Sequence, residues 1–207
     1  MDIDANGISF NCRIDGPGPA DTPWIVFSNS LATDLGLWDR QVARLADRFN
    51  ILRYDTRGHG RTQATPPPYS FDQLTADAVA LMDSVGIDRA HWVGLSLGGS
   101  TGIAMALNHA HRLRSLAVCD SRARTDPEFV RAWQTLDFED RLGEITLPVL
   151  FMAGASDRSC PPEAARAMHD RVAGSACVIL DPASHISNLE NPAQFNAALL
   201  AYLDRAR

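Results

Sequence analysis

The sequence predicts an α/β protein with a mostly parallel, twisted sheet that is covered by helices on both faces. Short runs of β-forming apolar residues alternate with segments of helical periodicity, as in βαβ units. Two runs, Trp24-Ile25-Val26-Phe27 and Val149-Leu150-Phe151-Met152, are apolar throughout, which is typical of strands buried on both faces. The length of 207 residues suits a single domain, residues 1–207, with a large core.

The predicted strands leave room between them for connecting helices or loops. In chain order they lie near Ile8–Ile14, Trp24–Ser28, Ile51–Tyr54, His91–Leu95, Leu113–Cys119, Val149–Ala153 and Cys177–Leu180.

Two of the predicted helices carry boundary signals. Ser70-Phe71-Asp72-Gln73 has the form of a capping box, and Gly86 offers a C-terminal stop. Between them, apolar residues recur at helical spacing: Leu74, Ala78, Leu81, Met82 and Val85. Asn191-Pro192 opens the last helix with a cap and a first-turn proline. The inner face of that helix is marked by Phe195, Leu199 and Leu203.

Charge and composition exclude several classes of function. The formal net charge is −6, which argues against a surface that binds nucleic acid or an anionic membrane. All 19 basic residues are arginines, so a lysine Schiff base and a lysine-dependent phosphate loop are excluded. The apolar runs are too short to span a bilayer, and Met1-Asp2-Ile3-Asp4 lacks the features of a signal peptide. We expect a soluble, cytoplasmic protein.

The cysteines are scattered and form no C-x-x-C pair: Cys12, Cys119, Cys160 and Cys177. Three of them lie in or next to apolar runs. This placement favours buried free thiols over a disulfide bridge or a metal site.

The strongest chemical signal is Gly94-Leu95-Ser96-Leu97-Gly98-Gly99, which follows a predicted strand and precedes the helix-compatible run 97–110. A strand, a tight turn and a helix are the context of a G-x-S-x-G nucleophile elbow. Small neighbours permit the strained turn, which presents the Ser96 hydroxyl at the carboxyl end of the sheet. The N–H of Leu97 then lies at a helix N-terminus, where it can stabilise an oxyanion. A merely tight junction or a phosphate loop is the alternative.

A serine nucleophile needs a base and an orienting acid, and on this scaffold the acid precedes the histidine in the chain. Asp157 lies just past a predicted strand, on the same rim as Ser96. Two alternatives stay open at this point. Asp120, directly after the preceding strand, is the rival acid, and Asp157 has the alternative role of a cap for the helix near Pro162.

Of six histidines, only His185 lies past the last strand, on a loop that can reach this rim. The others have structural explanations in a turn, at a strand start, inside a helix or at a helix C-terminus: His59, His91, His169, His109 and His111. His185 is therefore the predicted base. The second oxyanion donor is expected from the loop Ser28-Asn29-Ser30-Leu31, with the N–H of Leu31 as candidate and an ordinary turn as alternative.

These segments together resemble the α/β-hydrolases, and in detail the 3-oxoadipate enol-lactonases of aromatic-acid catabolism. The resemblance covers nearly the whole chain. It rests on the Ser96 elbow and on the stretches 27–31, 37–39, 53–60, 148–162 and 183–190. The elbow, Asp157 and His185 identify the superfamily. The Asn-Ser-Leu loop indicates the lactonase branch, whereas haloperoxidase-like and esterase relatives share the other motifs.

The chain departs from this family in one segment. Family members carry a cap of several helices between the sixth and seventh core strands, whereas residues 121–146 have room for one short helix. Asp126-Pro127 is expected to begin that helix, with Phe129 and Trp133 on one face. A natural minimal form and an engineered deletion both fit the sequence. We expect weaker substrate affinity, and an exposed apolar rim through which copies of the chain associate as a homo-oligomer.

The resemblance implies a mechanism of acyl transfer that needs neither a metal nor an organic cofactor. Ser96 is the implied nucleophile, His185 the base and Asp157 the acid that orients it. The N–H groups of Leu31 and Leu97 are the implied oxyanion hole. The implied substrate is 3-oxoadipate enol-lactone, a small molecule with a free carboxylate.

That carboxylate needs a cationic partner. Arg124 follows the strand ending at Cys119, where family members have an arginine, and Trp133 is the second candidate for substrate contact. A solvated surface arginine is the alternative for Arg124. Two other functions stay open: a carboxylesterase of small esters with an open site, and a catalytically impaired hydrolase core that lacks its cap.

Overall fold

The computed structural model describes residues 1–19, 21–124 and 137–206. Within these ranges eight strands form one sheet: β1 (Asp2–Ala5), β2 (Ile8–Asp15), β3 (Trp24–Ser28), β4 (Asn50–Tyr54), β5 (Ala90–Leu95), β6 (Leu113–Cys119), β7 (Val149–Gly154) and β8 (Ala176–Leu180). Their order in space is β1-β2-β4-β3-β5-β6-β7-β8. β2 is antiparallel to both of its neighbours, and the strands from β4 to β8 are parallel. The predicted fold class is confirmed.

Helices pack on both faces of the sheet. In the described part of the chain they are α1 (Asp39–Leu45), α2 (Phe71–Val85), α3 (Leu97–Asn108), α4 (Pro162–Arg171), α5 (Ser187–Glu190) and α6 (Pro192–Arg205). Short 3₁₀ turns lie at Leu35–Trp38, Ala110–Arg112 and Glu139–Glu144. None of the described helices is long and apolar enough to cross a membrane.

The sheet separates two apolar clusters. One cluster lies between the sheet and α2, α3 and α4, and the other lies under α1 and α6. Successive residues of β3 alternate between them, since Val26 belongs to the first cluster while Ile25 and Phe27 belong to the second. A strand covered on both faces therefore has to be apolar at every position. The cysteines are free thiols, buried at Cys12, Cys119 and Cys160 and half-buried at Cys177.

The predicted caps define the ends of α2. The Ser70 hydroxyl accepts the N–H of Gln73 at 3.1 Å. At the other end Gly86 has a φ of +78°, and its N–H donates to the Asp83 carbonyl at 3.1 Å. Glycine reaches this left-handed conformation without the steric cost that a Cβ would add.

The strand β1 was not predicted from the sequence. It pairs with β2 through a hairpin in which Ala5 lies opposite Ile8. The connecting pair is Asn6-Gly7, with φ values of +43° and +80°, and an Asn-Gly pair is the strongest short hairpin signal. The Asn-Gly pair therefore predicts a turn, but the polar residues of β1 gave no strand signal, and the pairing of β1 with β2 was not predicted.

The parallel strands place one set of loops at a common edge, because their carboxyl ends point the same way. Five loops begin at this edge, after β3, β5, β6, β7 and β8. Their first residues are, in the same order, Asn29, Ser96, Asp120, Ala155 and Asp181. Asp157 and His185 lie further along the last two of these loops. This edge of the sheet carries the candidate site.

Arg124 and Asp137, the described residues on either side of 125–136, lie opposite each other in an antiparallel bridge. The N–H of Phe138 donates to the Ala123 carbonyl at 2.8 Å, a second contact between the same two strands of chain. The short helix expected in residues 121–146 falls on residues that the structure does not describe. The same holds for its predicted residues Asp126-Pro127, Phe129 and Trp133.

Candidate active site

Ser96 lies on a strained turn between β5 and α3. Its φ is +53° and its ψ is −111°, a conformation that residues with a side chain rarely adopt. Gly94 and Gly98 permit the turn, since a Cβ at either position would overlap a backbone carbonyl group. At Gly98 it would lie 2.5 Å from the carbonyl carbon of Ser28. The N–H of Ser96 donates to the Cys119 carbonyl at 2.8 Å, which holds the turn against β6.

His185 stands between Ser96 and Asp157. Its Nε2 lies 3.0 Å from the Ser96 Oγ, and its Nδ1 lies 2.8 Å from Oδ2 of Asp157. The Asp157 side chain is fully buried, whereas 27% of the His185 side chain is exposed. The hydrogen bond to Asp157 raises the pKa of His185 above its ordinary 6.5, although burial lowers it. A hydroxyl, an imidazole and a carboxylate in this series are able to move a proton from serine to histidine.

The loop after β7 holds Asp157 in one orientation. Its Oδ1 accepts the backbone N–H groups of Ser159 at 2.8 Å and Cys160 at 2.9 Å. Oδ2 is thereby left for the histidine. The residue at the N-cap of α4 is Pro161, so the structure places Asp157 in a turn before the helix and not at its cap.

One carboxylate holds the histidine loop on both sides of His185. Oε2 of Glu190 accepts the N–H of Ser184 at 2.7 Å, and Oε1 accepts the N–H of Ile186 at 3.0 Å. Both neighbours of the histidine are thus fixed by a side chain five residues further along, in α5. Glu190 is not among the predicted site residues, and no local pattern marks it, because the contact depends on how the loop folds back.

Asp120, the rival acid, binds other groups. Its Oδ1 accepts the N–H of Gly154 at 2.8 Å, and its Oδ2 accepts the N–H and the hydroxyl of Ser187 at 3.2 and 2.5 Å. Asp120 therefore links the end of β7 to the loop that carries His185. Burial raises the pKa of Asp120 to about 7, the hydrogen bonds oppose this, and the charge of Asp157 adds to it. The structure brings Asp157, and not Asp120, into contact with the histidine.

The two predicted oxyanion donors lie on segments that are joined to each other. Leu97 is the first residue of α3, and N–H groups in the first turn of a helix have no partner within the helix. Leu31 lies on the loop after β3, where Asn29 accepts the Trp38 indole N–H at 3.0 Å. The N–H of Gly98 donates to the Asn29 carbonyl at 3.0 Å. The loop of Leu31 is thereby fixed against the start of α3.

The two arginines after β6 have different surroundings. Arg124 has a side chain that is 63% exposed and pairs with Asp137 at 3.5 Å and Glu139 at 3.8 Å. The structure does not bring it to the serine, and its predicted role in substrate binding stays a prediction. Arg122, which the sequence analysis passed over, is half-buried, and its Nε donates to the Sγ of Cys160 at 3.4 Å.

Among the described residues, the site contains one group of potential metal ligands. The ligand atoms of Asp157, Cys160 and His185 lie within 4.8 Å of one another. Two of them are joined by the hydrogen bond between carboxylate and imidazole. Burial raises the pKa of Cys160 above its ordinary 9.0, which disfavours the thiolate that a metal would require. The arrangement suits proton transfer better than metal binding.

The sequence of the chain matches a known protein family. A family profile described as alpha/beta hydrolase fold matches residues 23–127 and 120–192 of the chain. 3-Oxoadipate enol-lactonase 2 of Acinetobacter baylyi is 30% identical over 244 residues, an alignment that covers 91% of this chain and 91% of that protein. Since the alignment is longer than the 207 residues of this chain, that protein has positions without a counterpart here.

Solved structures show the same core. The crystal structure of the enol-lactonase from Burkholderia xenovorans LB400 has a TM-score of 0.94 at 33% identity, covering 99% of this chain and 100% of that chain. The structure of a hydrolase from Pseudomonas aeruginosa PA01 has a TM-score of 0.90 at 28% identity, with 98% and 97% coverage.

Proposed function

We propose that this chain, which belongs to the α/β-hydrolase fold family, hydrolyses a small lactone or ester by acyl transfer, with 3-oxoadipate enol-lactone as its substrate. The observation that carries the proposal is the hydrogen-bonded series from the Ser96 hydroxyl through His185 to the buried Asp157. The choice of substrate is supported by the two similar enol-lactonases, from Acinetobacter baylyi and Burkholderia xenovorans.

In the first step Ser96 Oγ attacks the lactone carbonyl carbon, and its proton passes to His185 Nε2. The oxyanion of the tetrahedral intermediate is held by the N–H groups of Leu31 and Leu97. The intermediate collapses with cleavage of the ring C–O bond, and His185 returns the proton to the enolate oxygen. Asp157 keeps the Nδ1–H of the imidazole directed toward itself and stabilises the charged form of the ring.

In the second step water displaces the Ser96 oxygen from the acyl carbon. His185 Nε2 takes a proton from the water, whose oxygen attacks the carbonyl carbon of the Ser96 ester. The second tetrahedral intermediate releases the free acid, and Ser96 recovers its proton from the histidine. The hydrogen bond to Asp157 that raises the pKa of His185 also stabilises the protonated ring that forms in each step.

The test is the initial rate of 3-oxoadipate enol-lactone hydrolysis, after subtraction of spontaneous opening, for the parent chain and for Ser96→Ala. We expect a saturable rate that falls by about 10³-fold or more in the variant. Ser84→Ala is the matched control, since that serine is exposed on α2 and its hydroxyl donates only to the Ala80 carbonyl among the described contacts. It should retain the parent rate.

Two outcomes would contradict the proposal. A Ser96→Ala variant with the parent rate would show that this serine is not the nucleophile. A serine-dependent activity that is stronger on short neutral esters than on the enol-lactone would instead identify a small-ester carboxylesterase.

A further inference from the structure

Arg122 lies near the candidate base and acid, His185 and Asp157, with the side chain of Cys160 between. Its Nε donates to the Sγ of Cys160 at 3.4 Å, and that sulfur lies within 4.8 Å of ligand atoms of both His185 and Asp157. The positive charge is close enough to lower the pKa of His185. The backbone of Arg122 is fixed as well, because its carbonyl accepts the Ser100 hydroxyl at 3.0 Å.

The charge of this guanidinium is not balanced by an ion pair with the described residues. Two carboxyl groups act, like Arg122, on the Cys160 thiol, and both are occupied. Asp157 binds His185 and two backbone N–H groups, and Asp120 binds Gly154 and Ser187. A thiol is a weak acceptor, so Nε has a poor partner. The other guanidinium donors of Arg122 make no hydrogen bond to the described residues.

Arg122 also lines a cavity of about 220 Å³ between the segment after β6 and α4. The wall on the α4 side is mostly small or apolar, namely Pro161, Ala164, Ala167 and Met168. Two further arginines line it, but both have acidic partners: Arg124 pairs with Asp137 and Glu139, and Arg171 with Asp140. Among the described arginines of this cavity, Arg122 is the one without a carboxylate partner.

We infer that Arg122 is the specificity residue that binds the free carboxylate of an anionic lactone or ester held at Ser96. The inference rests on the proposed function. Arginine offers parallel N–H donors that match the two oxygens of a carboxylate. A half-buried position strengthens this contact, because less water competes for either charge. The lactone or ester group would then react at Ser96, while the contact between the substrate carboxylate and Arg122 fixes the orientation of the substrate.

The experiment compares two lactones that share the same ring and the same scissile bond. One is 3-oxoadipate enol-lactone, and the other is α-angelica lactone, which has a methyl group where the first has a carboxymethyl group. The measured quantity is the ratio of kcat/KM for the anionic lactone to kcat/KM for the neutral one. Arg122→Gln should lower this ratio by about 10- to 100-fold, the expected cost of one charge-assisted contact. Arg122→Lys should lower it less, since it keeps the charge and loses the forked geometry.

Two further arginine variants show whether the effect is specific to Arg122. Arg166→Gln removes one positive charge from α4 at a side chain that is 54% exposed, and it should leave the ratio within about twofold. Arg124→Gln tests the residue that the sequence predicted to bind the substrate carboxylate. A ratio that falls in Arg124→Gln and stays constant in Arg122→Gln would overturn the inference.

The outcomes distinguish this inference from the function on which it rests. If the parent chain hydrolyses both lactones and Ser96→Ala hydrolyses neither, the proposed function holds, and an unchanged ratio in both Arg122 variants overturns the inference alone. If the parent chain hydrolyses neither lactone, both are overturned. Urea unfolding of each variant shows whether it is folded. If Arg122→Gln does not fold, Arg122→Lys still tests the inference.

Discussion

Replacing Asp120 by asparagine tests a buried carboxyl group of the site whose pKa burial raises. The carboxyl group lies at the end of β6 and accepts three hydrogen bonds, from the N–H of Gly154 and from the N–H and hydroxyl of Ser187. Burial nevertheless raises its pKa from 3.8 to about 7. The folded chain therefore keeps a proton on Asp120 over a pH range in which the unfolded chain has lost it.

The size of the effect follows from this difference in pKa. A group with a raised pKa stabilises the fold at low pH and loses that contribution as the pH rises through its folded pKa. Below pH 3.8 the contribution of Asp120 is complete, and above pH 7 it is gone. At 1.36 kcal/mol per pH unit, the free energy of unfolding should fall by about 3 kcal/mol between pH 5 and pH 8 on account of this group.

Asparagine has no charge to lose, so Asp120→Asn should remove this part of the pH dependence. The amide oxygen can accept only some of the three hydrogen bonds. An N–H group left without an acceptor in a buried site costs about 1–3 kcal/mol. We therefore expect the variant to be less stable than the parent at pH 5, and the gap to close or reverse at pH 8.

Urea unfolding followed by circular dichroism at pH 5, 6, 7 and 8 measures both curves. Asp47→Asn is the control, because it makes the same chemical change at an exposed carboxyl group, and its curve should run parallel to that of the parent. Parallel curves for Asp120→Asn and the parent would refute the reasoning. They would show that Asp120 is ionised in the folded chain at pH 5.

Two other predictions follow from the geometry. The acid limb of kcat/KM against pH should have its midpoint above 6.5, because the hydrogen bond to Asp157 raises the pKa of His185 and the base acts only when neutral; a midpoint below 6 would contradict this. Gly98→Ala should cost about 1–3 kcal/mol of stability in urea and most of the activity, since its Cβ would lie 2.5 Å from the Ser28 carbonyl carbon. Gly143→Ala, where the nearest atom lies 3.9 Å away, is its control and should change stability by less than about 1 kcal/mol.

The parts of the fold that depend on neighbouring residues were predictable from the sequence. The capping box at Ser70 and the glycine stop at Gly86 locate α2, and the glycines around Ser96 locate the turn between β5 and α3. Each signal acts over a few residues through hydrogen bonds or steric limits of the local backbone. The run of apolar residues in β3 similarly reports burial on both faces of the sheet.

Local sequence patterns alone leave open some choices between residues with the same context, although the resemblance to known hydrolases favoured Asp157 as the acid. Asp120 and Asp157 both follow a parallel strand at the same edge of the sheet, but only Asp157 contacts His185. Arg122 and Arg124 both follow β6, but one lies against a thiol of the site and the other pairs with acidic residues on the surface.

The sequence by itself thus determined the fold class, the strained serine and the edge of the sheet at which an acid and a histidine follow it. Tertiary structure showed the predicted acid, Asp157, in contact with the histidine, and it decided which arginine lies near that pair. Ser96 and His185 are 89 positions apart, and their contact depends on loops held by Asp120 and Glu190. In such loops the direction of a side chain is set by hydrogen bonds to distant segments, and local residue types do not encode it.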